Sequence, residues 1–435
     1  MRLPAGGRVE AREPRNRRLV RDGVRHGHLL QAPRLRTGGD SIHCRLPLRQ
    51  LPRCRGGLGD GHPELRVRHR VRSGDPLEQP APRVAAKPRR RRPVTPGGHR
   101  RRAAARPERE ERCELGRRPC GQVRRMKRLN APKGWSQLLF AAPTEPWAAL
   151  RAAAAAGPAG TTATLIAAGL RGRGGGGFLT GTKWQATAAE PADQHYAVAN
   201  GYESDPAVFA NRLLMEENPQ AVVEGLAVAA LTVGAREAFI AVRAEYTEAI
   251  KRLEGVIAAA ERDGILGATL LGTGRELFIA VRPLQGSSMI GEETVLMKAL
   301  AGKRGQPEQT PPYPSEVGYL GKPTAVNNVA TLAAVPWILN NGAEAFAQIG
   351  DTAQPGTVLV QISGSVAHPG VLEVPTGTPL NEIIAAAGGA ASGASIKALL
   401  VGGPTGGFVP ANLFGGTPYS GAGLKAVGAH IGSGA

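Results

Sequence analysis

The residues best suited to chemistry lie between Arg171 and Trp184, where Gly172 and the run Gly174, Gly175, Gly176 and Gly177 stand beside Arg173 and ahead of Lys183. Glycine has no Cβ, so its backbone can take positive φ and approach a ligand closely. Successive free N–H groups in such a turn make a concave anion site. Residues 182–189 read as a helix whose N-terminus faces the same anion, and Lys183 adds a full positive charge. The chemistry this suggests is a grip on a phosphorylated cofactor. A flexible linker is the plain alternative. Against it, the run contains Arg173, Phe178 and Trp184 and lies between two expected helices, 162–169 and 182–189. It is not a P-loop, because no Gly-Lys-Ser/Thr closes it. Nor does it fit a Rossmann fingerprint, because a helix-like stretch precedes it where a strand is required.

Further polar groups sit in loops. Asn200-Gly201-Tyr202-Glu203-Ser204-Asp205-Pro206 is turn-rich and carries two carboxylates. Gly291-Glu292-Glu293-Thr294 opens an expected helix, 292–301, with two acidic residues in its first turn. Complementing the helix dipole explains such a pair, and so does one carboxylate facing a cofactor; the pattern alone does not separate them. Residues 302–314 form a long aperiodic stretch with Tyr313 near its end, and a loop of this length in a compact domain is usually functional. Asn327 and Asn328 open a helix, where an Asn can cap and still offer its amide to a ligand.

The elements that must position these groups alternate in type. Strands are expected at 195–199, 237–242 and 276–281, with helices at 219–233, where Pro219 suits the first turn, and at 246–262. Residues 144–156 are Ala-rich and read as a surface helix and linker. The βαβ alternation predicts an α/β fold: a parallel sheet with helices on its faces and ligands beyond the carboxyl ends of the strands. The loops after Ala199 and Val281 begin there. A ββαβ pattern follows, with strands at 357–363, 371–374 and 396–401 and a helix at 379–387, consistent with a small β-grasp domain. Expected boundaries are 126–345 for the α/β domain, 346–402 for the β-grasp domain and 403–435 for the start of a truncated C-terminal region.

Residues 1–125 are of another kind. They hold 33 Arg and one Lys against 12 acidic residues, whereas 126–435 hold 21 basic and 23 acidic residues, so the chain's net charge of +20 describes this tract alone. It has no Phe, Trp or Tyr and one Ile, Ile42. Too little apolar surface is available to offset chain entropy, so disorder is expected. Nucleic-acid binding tails mix Lys with Arg and interleave aromatics, and this tract does neither, so no nucleic-acid partner is expected. Its GC-codon composition suggests an out-of-frame or mis-started translation, with Met126 opening the protein. All four cysteines fall in it (Cys44, Cys54, Cys113, Cys120), with no Cys-x-x-Cys pair. Past residue 125 the histidines are His195, His368 and His430, far apart in sequence, so no metal site is expected. Without an apolar h-region or a spanning stretch, the expected location is cytoplasmic, at most peripheral at the inner face of the cell membrane.

Taken in order, the glycine run through Lys183-Trp184, Asn200 to Pro206, Gly291 to Thr294, Gly302 to Pro307, Pro311 to Pro314 and Gly321 to Leu332 resemble the FMN- and NADH-binding flavoprotein subunit of bacterial respiratory complex I and its relatives in formate dehydrogenases and NAD-linked hydrogenases. The resemblance runs from about Leu165 to Ala435, and the ββαβ stretch is similar to that family's ubiquitin-like middle domain. It implies hydride transfer from NADH to bound FMN, and electron transfer to partner redox subunits carrying iron–sulfur clusters. Any membrane association would be indirect, through the complex. The implied FMN cradle is Arg173, Gly174, Gly175, Lys183, Asn200, Glu203, Gly291, Glu292, Asn327, Asn328 and Thr331. Phe178, Asp205, Glu293 and Tyr313 would hold the nicotinamide nucleotide. The family's [4Fe–4S] cluster is held by cysteines of a C-terminal domain, and those ligands are absent here. Tyr202 stands where the family has Asp, Ala186 where it has an aromatic, Ser288 where it has Tyr and Thr310 where it has Lys. These changes imply a weaker grip on NADH, each lost stacking contact being worth about 1 kcal/mol. They also leave a second expectation, a non-catalytic FMN-binding or structural homologue within a redox assembly.

Overall fold

The computed structural model describes residues 127–143, 145–205, 207–392 and 395–432. The expectations for residues 1–125 and for Met126 lie outside these. The chain enters at strand β1 (Lys127–Arg128) and forms helices α1 (Ala148–Ala167) and α2 (Thr180–Ala189). Then follow strand β2 (Tyr196–Gly201), helices α3 (Ala210–Glu217) and α4 (Pro219–Val233), strand β3 (Glu237–Arg243), helix α5 (Thr247–Arg262) and strand β4 (Phe278–Leu284). Helix α6 (Glu293–Leu300), strand β5 (Thr324–Asn328) and helix α7 (Val329–Asn341) complete this part. The expected strands and helices are all present, with ends displaced by a few residues. Strands β2 to β5 make one sheet in the order β4-β3-β2-β5, every pair parallel. Helical crossovers dictate this, since parallel neighbours cannot be joined by a tight turn. From β2 the sheet grows outward through β3 to β4, and β5 then returns to the other side of β2. The direction of winding therefore reverses between β2 and β5, where open α/β sheets bind ligands.

Helix α4 is the centre of the packing. Asn218 caps it by accepting from the Ala221 N–H, Pro219 fills its first turn, and Gly234 ends it at φ 77°. Every residue from Ala221 to Val233 is buried. At Gly225 a Cβ would collide with the Leu332 carbonyl, so only glycine lets α4 and α7 meet backbone to backbone. Glu224, also on α4, is fully buried and accepts from the N–H groups of Trp147, Ala149 and Leu150. It supplies the cap that α1 lacks, because Trp147 gives no side-chain bond. Burial nevertheless pushes the Glu224 carboxyl up from its ordinary range. Helix α1 joins two stretches read separately from sequence, with a break at Gly157 (φ 70°, ψ 175°) ahead of Pro158. The residue before a proline avoids helical angles, which puts the break there. Ala149, Leu150 and Ala153 are buried, so this stretch belongs to the core.

The second region pairs Thr357–Ile362 antiparallel with Gly370–Pro375, and β1 adds to the latter as a parallel strand. Leu380–Ala386 is helical, and Ala398–Val401 pairs antiparallel with Gly407–Pro410 in a separate hairpin. The strand expected at 396–401 thus exists, but it bonds to the segment after it. Residues past 402 stay in the same core, where Val409, Phe414 and Leu424 pack with Val358, Leu372 and Ile383. Residues 129–140 stitch the regions together. Leu129 and Trp135 pack into the second core, while Leu138, Leu139 and Phe140 lie in the first. The buried Glu373 carboxylate holds this strap by accepting from the N–H groups of Leu138, Leu139 and Phe140, and it also accepts from the Thr357 hydroxyl. No helix among the described residues is long and apolar enough to cross a membrane.

Candidate functional site

A cavity of about 750 Å3 opens beyond the carboxyl ends of β2 and β5. Its size suits a small organic ligand, for which pockets run from about 300 to 1,000 Å3. One wall is the glycine loop. The loop is closed at its base by the Gly172 N–H donating to Phe178 O and the Thr180 N–H donating to Leu170 O, each at 2.9 Å. Gly175 (φ 96°) and Gly177 (φ 60°) supply the left-handed turns, and Gly174, Gly176 and Gly177 line the cavity. Arg173 is turned away from it. Its N–H donates to Thr331 Oγ1 at 2.8 Å, and its Nη2 donates to Pro355 O. Arg173 Nη1 has no hydrogen-bond partner among the described residues. Burial lowers the Arg173 pKa to about 10, so the cation persists at neutral pH behind the loop. Arg173, Gly175 and Thr331 therefore back the wall and do not form its surface.

Helix α2 turns Lys183 and Ala186 into the cavity. Its first turn packs on α1, where a Cβ at Gly181 would lie 2.8 Å from Thr162 O. The flank of α2, and not the expected N-terminus, faces the site. Lys183 Nζ donates to Val326 O at 3.1 Å and stands 3.6 Å from Glu293 Oε2. Trp184 is fully buried and donates from Nε1 to Asn327 Oδ1 at 2.8 Å. Indole can only donate, so this bond fixes the amide and leaves Asn327 Nδ2 as the donor on the cavity wall. Asn328 Oδ1 caps α7 by accepting from the Ala330 N–H, and its Nδ2 lies beside Gly174.

The segment after β2 gives Asn200, Tyr202, Glu203, Ser204 and Asp205 to the lining. Asn200 is spent on the protein: its Nδ2 donates to Gly291 O and its Oδ1 accepts from the Tyr202 N–H. The Tyr202 hydroxyl donates to Gly286 O at 2.9 Å, and the Arg243 guanidinium lies over its ring. Tyr202 thus ties this segment to the loop after β4. Glu203 accepts from the N–H groups of Asn211 and Arg212, and from the Tyr246 hydroxyl. Burial outweighs these bonds and pushes the Glu203 carboxyl up to about 7. Asp205 makes no side-chain hydrogen bond to a described residue.

The structure divides the Glu292/Glu293 pair. Glu292 caps α6, accepting from the Thr294 and Val295 N–H groups and from the Thr294 hydroxyl. Glu293 faces the cavity near Lys183. At the rim stand Phe178, 57% exposed, and Tyr313, 53% exposed. Of the fifteen residues singled out in the sequence, the cavity thus gathers Gly174, Lys183, Asn200, Glu203, Gly291, Glu292, Asn327, Asn328, Phe178, Asp205, Glu293 and Tyr313. Sequence reading gave no role to Trp184, Tyr246 or Asn211. The Lys183-Trp184 neighbourhood was a signal for the first, but nothing in spacing links Tyr246 or Asn211 to Glu203.

An open parallel α/β domain with a glycine-lined cavity at its switch point is the class defined so far. The comparisons with known proteins refine it. Residues 165–337 match the Nuo51 FMN-binding domain and residues 359–409 the SLBB domain, and the chain carries the two in that order. It is 42% identical over 251 residues to the NADP-reducing hydrogenase subunit HndC of Solidesulfovibrio fructosivorans, covering 58% of this chain and 51% of that protein. It is 42% identical over 234 residues to an NADH-quinone oxidoreductase subunit of Aquifex aeolicus, covering 54% and 55% respectively. Among solved structures, the air-oxidised NAD+-reducing [NiFe]-hydrogenase superposes with a TM-score of 0.59 at 33% identity, over 68% of this chain and 48% of that one. The chain spans about half the length of the curated relatives it matches.

The FMN-binding description fits the residues present. Backbone N–H groups of the glycine loop, Lys183 and the uncompensated Arg173 cation favour a phosphate. The free amide nitrogens of Asn327 and Asn328 are donors for polar atoms of the ligand.

Proposed function

We propose that this chain is an NADH-oxidising flavoprotein subunit of a redox assembly. The observation that carries this reading is the convergence of the glycine loop, Lys183 with its ion-pair partner Glu293, the two Asn amides, the Asp205 carboxylate and two exposed aromatics on one cavity. In this reading the N–H groups of Gly174 to Gly177 and Lys183 hold the FMN phosphate, with Arg173 and Thr331 fixing the loop from behind. Asn327 and Asn328 donate to the ribityl and ring edge. Asn200, Gly291 and Glu292 keep the opposite wall in place, and Glu203 sets its charge near neutral pH. Phe178 and Tyr313 stack on the nicotinamide nucleotide, while Asp205 and Glu293 accept from its ribose hydroxyls. Bound FMN supplies the hydride-accepting chemistry; the protein supplies orientation and electrostatics. Residues 126–435 contain no cysteine, so no thiolate from them serves an iron–sulfur cluster. Electrons would leave to partner subunits that carry clusters, as the relatives' names suggest.

A second reading rests on Tyr202, whose bulky ring stands in the cavity wall at the flavin side. There the chain would hold FMN, or only the assembly, without oxidising NADH. The absorbance spectrum of the purified full chain, recorded without oxygen before and after adding NADH, separates these. A flavin spectrum that bleaches supports the first reading. A flavin spectrum that does not bleach supports the second, and no flavin after reconstitution with FMN removes both flavin readings.

A further inference from the structure

The second region reaches the cavity through the segment that follows β2. Gln361, near the end of the strand Thr357–Ile362, holds this segment at two points. Its Oε1 accepts from the Phe209 N–H at 2.8 Å, and its Nε2 donates to Ala207 O at 2.7 Å. Because one partner only donates and the other only accepts, the amide has one satisfied orientation. Gly403, after the strand Ala398–Val401, meets the same segment just ahead of these points. A Cβ on Gly403 would lie 2.5 Å from Asp205 Oδ2. Gly403 is at φ 62°, and a Cβ on neighbouring Gly402 would lie 2.5 Å from His430 O, so the turn is held from behind.

Asp205 differs from Glu203 in what fixes it. Glu203 is anchored within its own domain by α3 and Tyr246. The Asp205 carboxylate lines the cavity with no such anchor. Its backbone carbonyl accepts from the Val208 N–H, and just beyond that turn the segment is held by Gln361, while Gly403 stands against the carboxylate itself, both from the second region. From this geometry we infer that Gln361 and Gly403 are positioning residues: the second region sets where the Asp205 carboxylate stands in the site. Fixing the carboxylate before the ligand arrives removes an ordering cost from binding. The ligand assignment rests on the function proposed above; the positioning does not.

The test uses the full chain with Gln361→Ala, Gly403→Ala, Asp205→Ala and the double variant Asp205→Ala/Gly403→Ala. Hydrogen exchange at the Phe209 amide is independent of any ligand. It is expected to speed up about tenfold or more in Gln361→Ala, which loses the acceptor of that N–H. Unchanged exchange would overturn the proposal whatever the protein binds. If the wild type oxidises NADH, Gln361→Ala and Gly403→Ala are each expected to raise KM about fivefold to tenfold, the scale of one immobilised side chain. FMN content should hold and kcat should stay within about twofold. In the Asp205→Ala background Gly403→Ala should add nothing to KM, because the carboxylate it displaces is gone. Additive effects, or a fall in kcat at constant KM, would overturn the positioning role. Should the wild type not oxidise NADH, the proposed function fails, and unchanged Phe209 exchange in Gln361→Ala would still overturn the positioning on its own.

Discussion

The inner wall of the cavity and its outer rim use similar side chains for opposite purposes. On the wall, Asn200, Glu203 and Glu292 spend their polar atoms on backbone groups of the protein itself. At the rim, Phe178 and Tyr313 stand more than half exposed and Asp205 has no side-chain partner among the described residues. A wall of satisfied groups is rigid before a ligand arrives, whereas a rim of unsatisfied ones gains most when a ligand arrives. The pair Glu292 and Glu293 divides within two residues: the first caps a helix, and the second faces the cavity beside Lys183.

Four experiments probe this contrast, in order of expected effect. The wall depends on α4 and α7 meeting at Gly225, so Gly225→Ala should destabilise the fold by about 3 kcal/mol or more, at the upper end of overpacking costs. A thermal or denaturant melt measures it, and a loss below about 1 kcal/mol would mean that the helices separate easily. Glu203 tests the electrostatics of the wall. Its carboxyl is raised to about 7 in the fold, so the folded state holds a proton that the unfolded chain has already released. Stability is therefore fully present below the ordinary glutamate range and falls as pH rises to about 7, by up to about 1.4 kcal/mol per unit. Glu203→Gln should flatten that part of the pH–stability curve. Glu224 and Glu373, also raised by burial, stay in both proteins and cancel in the difference.

Trp184→Phe strips Asn327 of its donor and leaves a small void where the fully buried indole stood. The unpaired buried amide should cost about 1–3 kcal/mol, and FMN retention should fall because the Asn327 amide is free to turn. Unchanged flavin content in this variant would place the flavin contact elsewhere. The rim should behave differently. Phe178→Ala or Tyr313→Ala should weaken NADH binding by about 0.5–1.5 kcal/mol per ring, with flavin content and melting temperature unchanged. A rim variant that loses flavin, or a wall variant that affects only NADH, would erase the distinction.

Much of this site was legible beforehand because local chemistry carries it. A glycine run between helices, an Asn at a helix start and a Pro at position 219 each act within a few residues, and each is found where local rules place it. Twelve of the residues that the resemblance implied line the cavity, and they lie in short motifs whose backbone geometry they help to set. Assignments that needed distance were not legible. The resemblance implied Arg173 in the FMN cradle, and the structure places its side chain behind the loop, where the carbonyl of Pro355, 182 residues away, accepts its hydrogen bond. Helix α2 offers its flank because Gly181 seats its first turn on α1.

The sequence by itself determined the parallel βαβ alternation, the glycine loop and a ligand site beyond the carboxyl ends of the strands. These follow from periodicity, turn chemistry and connection rules that act along the chain. Only the tertiary structure decided which polar groups are spent and which are free. That depends on partners far apart in sequence, such as Tyr246 for Glu203, Trp184 for Asn327, and Gln361 for the backbone beside Asp205. A hydrogen bond satisfies a group by geometry in space, and no local pattern records it.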